Sequence, residues 1–236
     1  RDSIDRHGFR YDSQEDFAKN VVGEIGNVKS GRVSLENYES TTMKPEDFRV
    51  VYDEYENFLR RCGKIDFDDM LVFTYELLSE RPDILKMWQN KFRYILIDEF
   101  QDINMIQYDI VKLLAGERQN VFSVGDDDQS VYGFRGAAPA IMKKFPEYFH
   151  GTVIEYLNVN YRCSYDIVEC SKRIIQNNRD RYEKQLRSAF AAGQSDRVHI
   201  VKTDSMTEQN KKIIDRITEL NRAGIPYREM AIIFRT

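Results

Sequence analysis

Cysteine is scarce in these 236 residues: Cys62, Cys163 and Cys170 are odd in number and lack the spacing of a metal site. A disulfide framework is therefore excluded, and free thiols in a reducing compartment are expected. No signal-peptide pattern and no apolar run near the length of a membrane span occurs, so a cytoplasmic protein with no membrane partner is the expectation. An excess of positive charge is missing too: 35 Lys and Arg stand against 39 Asp and Glu, a formal net charge of −4. Any polyanion must then be met by a local basic patch, because no global field attracts it. Internal repeats and low-complexity tracts are also absent.

What is present is the composition of an ordinary soluble globular protein, 42% hydrophobic and 31% charged. The length suffices for one large domain or two smaller ones. The chain begins at Arg1 and stops at Thr236 just after an apolar run, which reads as a piece excised from something longer.

Residues 1 to about 91 read as helical. Ser13 followed by Asp16 resembles a capping box, and Phe17, Val21, Val22 and Ile25 then recur at helical spacing. The stretch from Gly26 through Gly31 to Thr42 reads as a loop. Pro45 suits a first helical position, with Phe48, Val51, Tyr52, Tyr55 and Leu59 on one face and Gly63 as the stop. Asp66 and Asp69 are placed to cap a further helix, and Pro82 to start another. From Tyr94 the rhythm changes to strand–helix alternation, which argues for parallel sheets built from crossovers. Strands are expected at 94–98, 120–124, 152–157, 197–202 and 230–234, and helices near 103–115, 137–145, 164–177 and 206–222. The polar stretch 178–196 reads as a linker or surface loop.

The ends of the first three strands carry the chemistry. Residues 94–97 read as a strand buried on both faces, and Asp98 and Glu99 follow where it would leave the sheet. In an open parallel sheet, ligands bind outside the carboxyl ends of the strands. Two adjacent acids there suit a hard cation and an activated water, and they read equally well as a solvated turn. The second strand ends in Gly125-Asp126-Asp127-Asp128-Gln129-Ser130, and the third runs into Asn158-Val159-Asn160-Tyr161-Arg162. Carboxylates, a glutamine and an aromatic beside an arginine at successive strand ends suit phosphoryl transfer. Magnesium needs a carboxylate, the attacking water a base, and the transferred phosphoryl group a planar donor.

These residues also carry a family resemblance. Asp98-Glu99-Phe100-Gln101-Asp102, the run from Gly125 through Ser130, Val131, Tyr132, Gly133, Phe134, Arg135, Gly136 and Ala137, and Asn160-Tyr161-Arg162 resemble successive motifs of the superfamily 1 DNA helicases of the UvrD, PcrA and Rep type. Asp66-Phe67-Asp68-Asp69-Met70-Leu71 and the terminal Phe234-Arg235-Thr236 fit the same family more weakly. The resemblance runs in family order from about residue 60 to the end. It implies an α/β fold with parallel RecA-like sheets flanked by helices and an α-helical N-terminal subdomain. The implied division is a helical insertion over 1–62, part of a first motor domain over 63–150 and the start of a second over 151–236. By the same resemblance ATP and Mg²⁺ are the cofactors, and single-stranded and partly duplex DNA the substrate, with repair or replication proteins as partners. Asp98 is the implied magnesium ligand and Glu99 the group that activates water. By the same resemblance Gln129 would sense the γ-phosphate, Tyr161 would stack on adenine and Arg162 would reach the γ-phosphate. Tyr132, Phe134 and Arg135 are the implied contacts to single-stranded DNA, where aromatic faces stack on bases. The family commonly has tryptophan where Phe134 stands, and phenylalanine keeps the stacking face with less area.

One motif of that family is missing. No Gly-x-x-x-x-Gly-Lys-Ser/Thr occurs in these 236 residues. Without it there is no backbone cradle for the β- and γ-phosphates. The expectation is an internal fragment of a multi-domain helicase, inactive alone, with residual salt-sensitive DNA binding through Tyr132, Phe134, Arg135 and the basic stretch 172–187. Three other readings stand beside it. One is the helicase subunit of a recombination helicase–nuclease. Another is a magnesium-dependent nuclease using Asp98, Glu99 and the Asp126-Asp127-Asp128 cluster. The last is a non-catalytic DNA-binding module.

Overall fold

The computed structural model of the chain describes residues 14–31, 33–131, 140–179, 181–193 and 198–234. The chain divides into two compact units, Arg1–Glu155 with Asp180–Glu183, and Tyr156–Arg179 with Lys184–Thr236.

The first unit opens with helices α1 (Gln14–Gly31), α2 (Pro45–Cys62), α3 (Phe67–Glu80) and α4 (Pro82–Lys91). Ser13 lies outside the described residues. The loop expected from Gly26 onward starts only after Gly31, because α1 runs straight through Gly26. The packing there is close: a Cβ would sit 2.7 Å from Asp68 Oδ2 on α3, so a larger residue would have to push that carboxylate aside. Val21, Ile25 and Val28 on α1 pack with Phe48 and Val51 on α2, one apolar stripe against another. α2 ends at Gly63 in the left-handed conformation, φ 60. α3 begins with a reciprocal capping box in which Asp66 Oδ1 accepts from the Asp69 amide at 2.7 Å and Asp69 Oδ2 from the Asp66 amide at 3.0 Å. Such a cap stabilises a helix by about 1 kcal/mol.

Next come β1 (Ile95–Ile97), α5 (Met105–Ala115), β2 (Val121–Ser123) and α6 (Ala140–Tyr148). β1 and β2 pair in parallel with Ile95 opposite Val121, Leu96 opposite Phe122 and Ile97 opposite Ser123. α5 is held by its own capping box between Asn104 and Gln107. Burial along the strands alternates. Ile95, Ile97 and Val121 face the core of Phe100, Tyr108, Ile141, Phe145 and Phe149, whereas Leu96 and Phe122 are 73% and 61% exposed. The expectation of a strand buried on both faces is thus corrected: helices cover one face, and the described residues put no layer on the other.

In the second unit β3 (Val159–Asn160) pairs in parallel with β4 (Arg187–Ser188), followed by α7 (Tyr165–Ile175) after β3 and α8 (Met206–Arg222) after β4. Val168 on α7 is buried, and the contacts of α7 run to β4. The strands expected at 152–157, 197–202 and 230–234 do not form among the described residues. Val153, Leu157, Ile200 and Ile233 there are highly exposed. An apolar run becomes a strand only where a neighbouring backbone completes its ladder, and here none does. β4 instead arises inside the stretch read as a linker. The architecture is helix-rich α/β with small parallel sheets.

Candidate nucleotide site at the carboxyl ends of the strands

β1 ends by turning sharply. Asp98 is exposed and its Oδ1 accepts from the Glu99 amide at 2.9 Å. Glu99 then adopts a left-handed conformation, φ 52, which is uncommon for a residue with a side chain and costs on the order of 1 kcal/mol. Phe100 fixes the turn from below. Its ring lies edge-on to Phe145 at 5.3 Å between centroids, and its amide donates to Val124 O at 2.9 Å.

Gln101 is the buried polar group of the site, 2% exposed. Its Nε2 donates to Glu99 Oε2 at 2.7 Å, with a weaker approach to Asp102 Oδ2 at 3.4 Å, and its Oε1 accepts from the Asp126 amide at 3.0 Å. The end of β2 closes on this amide. A Cβ at Gly125 would stand 2.9 Å from Gln101 Oε1 and 3.2 Å from the Gln101 and Phe100 nitrogens, so only glycine lets the two strand ends approach. Ser130 Oγ donates to Gln101 O at 3.3 Å.

After β2, Asp126 organises a short 3-10 turn over Asp127–Gln129. Its Oδ1 accepts from the Asp128 amide at 3.1 Å and its Oδ2 from Gln129 Nε2 at 2.7 Å. Glu99 and Gln129 are therefore linked by one hydrogen-bonded chain, Glu99–Gln101–Asp126–Gln129. The carboxylate oxygens of Asp126, Asp127 and Asp128 lie within 4.8 Å of one another. Each acid is already engaged. Asp127 Oδ2 accepts from the Tyr182 amide at 2.7 Å, and Asp128 takes a bidentate grip from Arg181, with 2.7 Å to Nε and 2.5 Å to Nη2. Hydrogen bonding to Asp128 raises the Arg181 pKa from its ordinary value despite the opposing effect of burial. The stretch 178–196 is thus no free linker at this point, because Arg181 and Tyr182 are pinned to the turn after β2.

In the second unit, Asn160 closes β3 by accepting from the amides of Arg162, at 2.9 Å, and Cys163, at 2.7 Å, through Oδ1. Tyr161 and Arg162 stand exposed on that turn. Tyr132, Phe134 and Arg135 lie outside the described residues. Sequence reasoning missed Gln101 as a separate actor. The available signal was a lone amide between acids, opposite a glycine at the next strand end.

Comparison with known proteins gives the family. Residues 4–150 match the UvrD/REP helicase N-terminal domain and residues 155–236 the UvrD-like helicase C-terminal domain. The putative ATP-dependent DNA helicase YjcD of Bacillus subtilis is 35% identical over 225 residues, covering 95% of this chain and 29% of its own length. ATP-dependent DNA helicases PcrA of Staphylococcus epidermidis and Staphylococcus aureus are 34% identical over 230 and 227 residues, 95% of this chain and 31% of theirs. The chain thus spans about a third of the length of these curated relatives. Both halves match in order, and the chain belongs to the UvrD/Rep helicase family.

Proposed function

We propose that the protein carrying these residues is an ATP-dependent DNA helicase, whose ATP hydrolysis drives movement along single-stranded DNA and duplex unwinding. The observation that carries this reading is the chain Glu99–Gln101–Asp126–Gln129 at the carboxyl ends of two parallel strands. There an acid suited to activating water is wired to an amide suited to sensing a phosphate. The sheets are then parts of RecA-like motor domains, divided near 62 and 150, with the N-terminal helices as an insertion.

The donor set fits the cofactor. Asp98 is exposed, its described hydrogen bond uses only Oδ1, and a carboxylate that leaves room for water is what Mg²⁺ takes. Bound Mg²⁺·ATP would supply the reacting phosphoryl group and neutralise its charge. The remaining steps belong to this chain. Asp98 would hold the cation, and Glu99 would accept a proton from a water beside it. Gln129 would donate to the γ-phosphate. Tyr161 stacks on adenine and Arg162 donates to the γ-phosphate, and Tyr132, Phe134 and Arg135 stack on and pair with single-stranded DNA. These roles rest on the family resemblance. The Asp126-Asp127-Asp128 cluster has no part as a second metal site, because its oxygens already bind Gln129, Tyr182 and Arg181. The 236-residue stretch, which contains no phosphate loop, is inactive alone in this reading.

The test uses the product of the whole reading frame that encodes these residues. DNA-stimulated ATP turnover is expected, and Glu99→Gln lowers kcat by roughly 10²–10⁴, as for loss of a general base. No turnover by the wild type, or full turnover by Glu99→Gln, overturns the reading. Turnover by the 236-residue stretch alone overturns its second half.

A further inference from the structure

Gln101 is more constrained than its neighbours in the motif. A side chain 2% exposed between the core and the site is buried at the cost of its polar amide unless that amide is hydrogen-bonded. Both ends of the amide are used, and the surroundings fix which end is which. The oxygen faces the Asp126 N–H at 3.0 Å and the nitrogen faces the Glu99 carboxylate at 2.7 Å. Flipping the amide would set oxygen against carboxylate and nitrogen against N–H, two repulsions in place of two bonds. The Asp126 side chain continues the connection, since its second oxygen holds Gln129 Nε2 at 2.7 Å. Gly125 presses the joint closed, with no room for a Cβ beside Gln101 Oε1.

We infer that Gln101 is a positioning residue: it holds the Glu99 carboxylate in register with the 126–129 turn, so that displacement of Gln129 is passed to Glu99. The inference rests on the reading of Glu99 as the group that activates water. The connection is short and has little slack. Asp126 is bound at its amide and at both carboxylate oxygens, so a shift of Gln129 moves the N–H that Gln101 accepts from. Glu99, already in a left-handed conformation, has its carboxylate held by that one donor among the described residues. A catalytic group misplaced by about 1 Å can lose on the order of 10²-fold in rate, so the donor matters far more for turnover than for folding.

Two substitutions in the whole-frame protein separate positioning from mere support. Gln101→Met has the same reach and no hydrogen bonds. Gln101→Glu keeps an acceptor for the Asp126 amide but replaces the donor to Glu99 with a carboxylate. Both are expected to lower kcat by about 10²-fold with the KM for ATP unchanged. Gly125→Ala, which crowds the same joint, should lower kcat too and add nothing on top of Gln101→Met. Should Gln101→Met fail to fold, Gln101→Glu decides alone. Wild-type kcat in Gln101→Glu overturns the inference and leaves Gln101 as a brace for the turn. Absence of turnover in the wild type overturns the proposed function, and this inference falls with it.

Discussion

Glu56, Asp66 and Asp69 in the helical part, and Asp98 and Glu99 at the end of β1, are two sets of acids in the same unit with opposite fates. The first surrounds Lys29, whose side chain is 4% exposed and whose Nζ lies 2.5 Å from Glu56, 2.8 Å from Asp66 and 2.8 Å from Asp69. Tyr55 adds a hydroxyl bond to Asp66 at 2.9 Å. Three acids close enough together to hold a metal thus hold the chain's own ammonium. That ammonium, on α1, ties down residues from α2 and from the start of α3. At the end of β1 no lysine pairs with either acid among the described residues. Asp98 stays exposed, and Glu99 meets only the amide of Gln101 among its described side-chain contacts. An acid cluster filled from within is a structural joint, whereas a pair of acids left exposed in a strained turn can still take a cation or a water from outside.

The comparison breaks first at Lys29. Lys29→Met leaves three carboxylates facing one another in a partly dry pocket, and should destabilise the folded chain by roughly 3–5 kcal/mol, read as a fall in the denaturant midpoint. A loss within experimental error would mean the cluster is solvated and the contrast empty. Asp69→Asn keeps one oxygen for the cap or the lysine but not both in charged form, and should cost about 1–3 kcal/mol in the same measurement. The pH dependence follows from the same contacts. Burial would raise the Asp66 pKa, but hydrogen bonds from Lys29, the Asp69 amide and Tyr55 outweigh it and leave it below its ordinary 3.8. Burial would lower the Lys29 pKa, but bonds to Asp66, Asp69 and Glu56 raise it above 10.5. A depressed acid stabilises above its unfolded value and loses this as pH falls through its folded value. A raised base stabilises below its unfolded value and loses this as pH climbs through its folded value. The helical joint should therefore hold a stability plateau between about pH 4 and pH 10 and weaken on both sides. Tyr55, pushed up to about 12 by burial and by its bond to Asp66, sharpens the alkaline edge. In Lys29→Met the lysine's share of that alkaline edge should vanish, leaving the share due to Tyr55.

Much of the helical joint was legible in the sequence, and less of the strand-end site. Asp66 and Asp69 announce themselves as caps because acids at that spacing before an apolar run satisfy free amides. Lys29 does not, since a lysine near a helix end reads as solvated. Its place four residues after Ile25, itself four after Val21, was the overlooked signal that it lies on the buried stripe. Asp98, Glu99 and Gln129 could be named from their motifs, but not the amide that links them, because the link depends on two strand ends meeting at Gly125. The missed strands have a similar cause. Apolar content at 152–157 and 230–234 marks residues able to pair, while pairing needs a partner. Arg187 and Ser188 form a strand without looking apolar because Asn158 O and Asn160 O are there to accept from the amides of Arg187 and Ala189.

The smallest expected effect is the most informative about the open site. Glu99→Gln keeps the side-chain length and the left-handed backbone, and removes a charge from an exposed position. Its stability should stay within about 0.5 kcal/mol of the wild type, as for most surface substitutions. The loss of the charged acceptor for Gln101 weakens one hydrogen bond, and the loss of repulsion from neighbouring Asp98 works the other way. A group whose removal leaves the fold untouched, yet which sits in a costly backbone conformation with a buried amide aimed at its carboxylate, is being held in place for something other than stability. If Glu99→Gln instead unfolds at a markedly lower denaturant concentration, Glu99 belongs with Lys29 among the structural joints. The distinction between a filled cluster and an open one would then collapse.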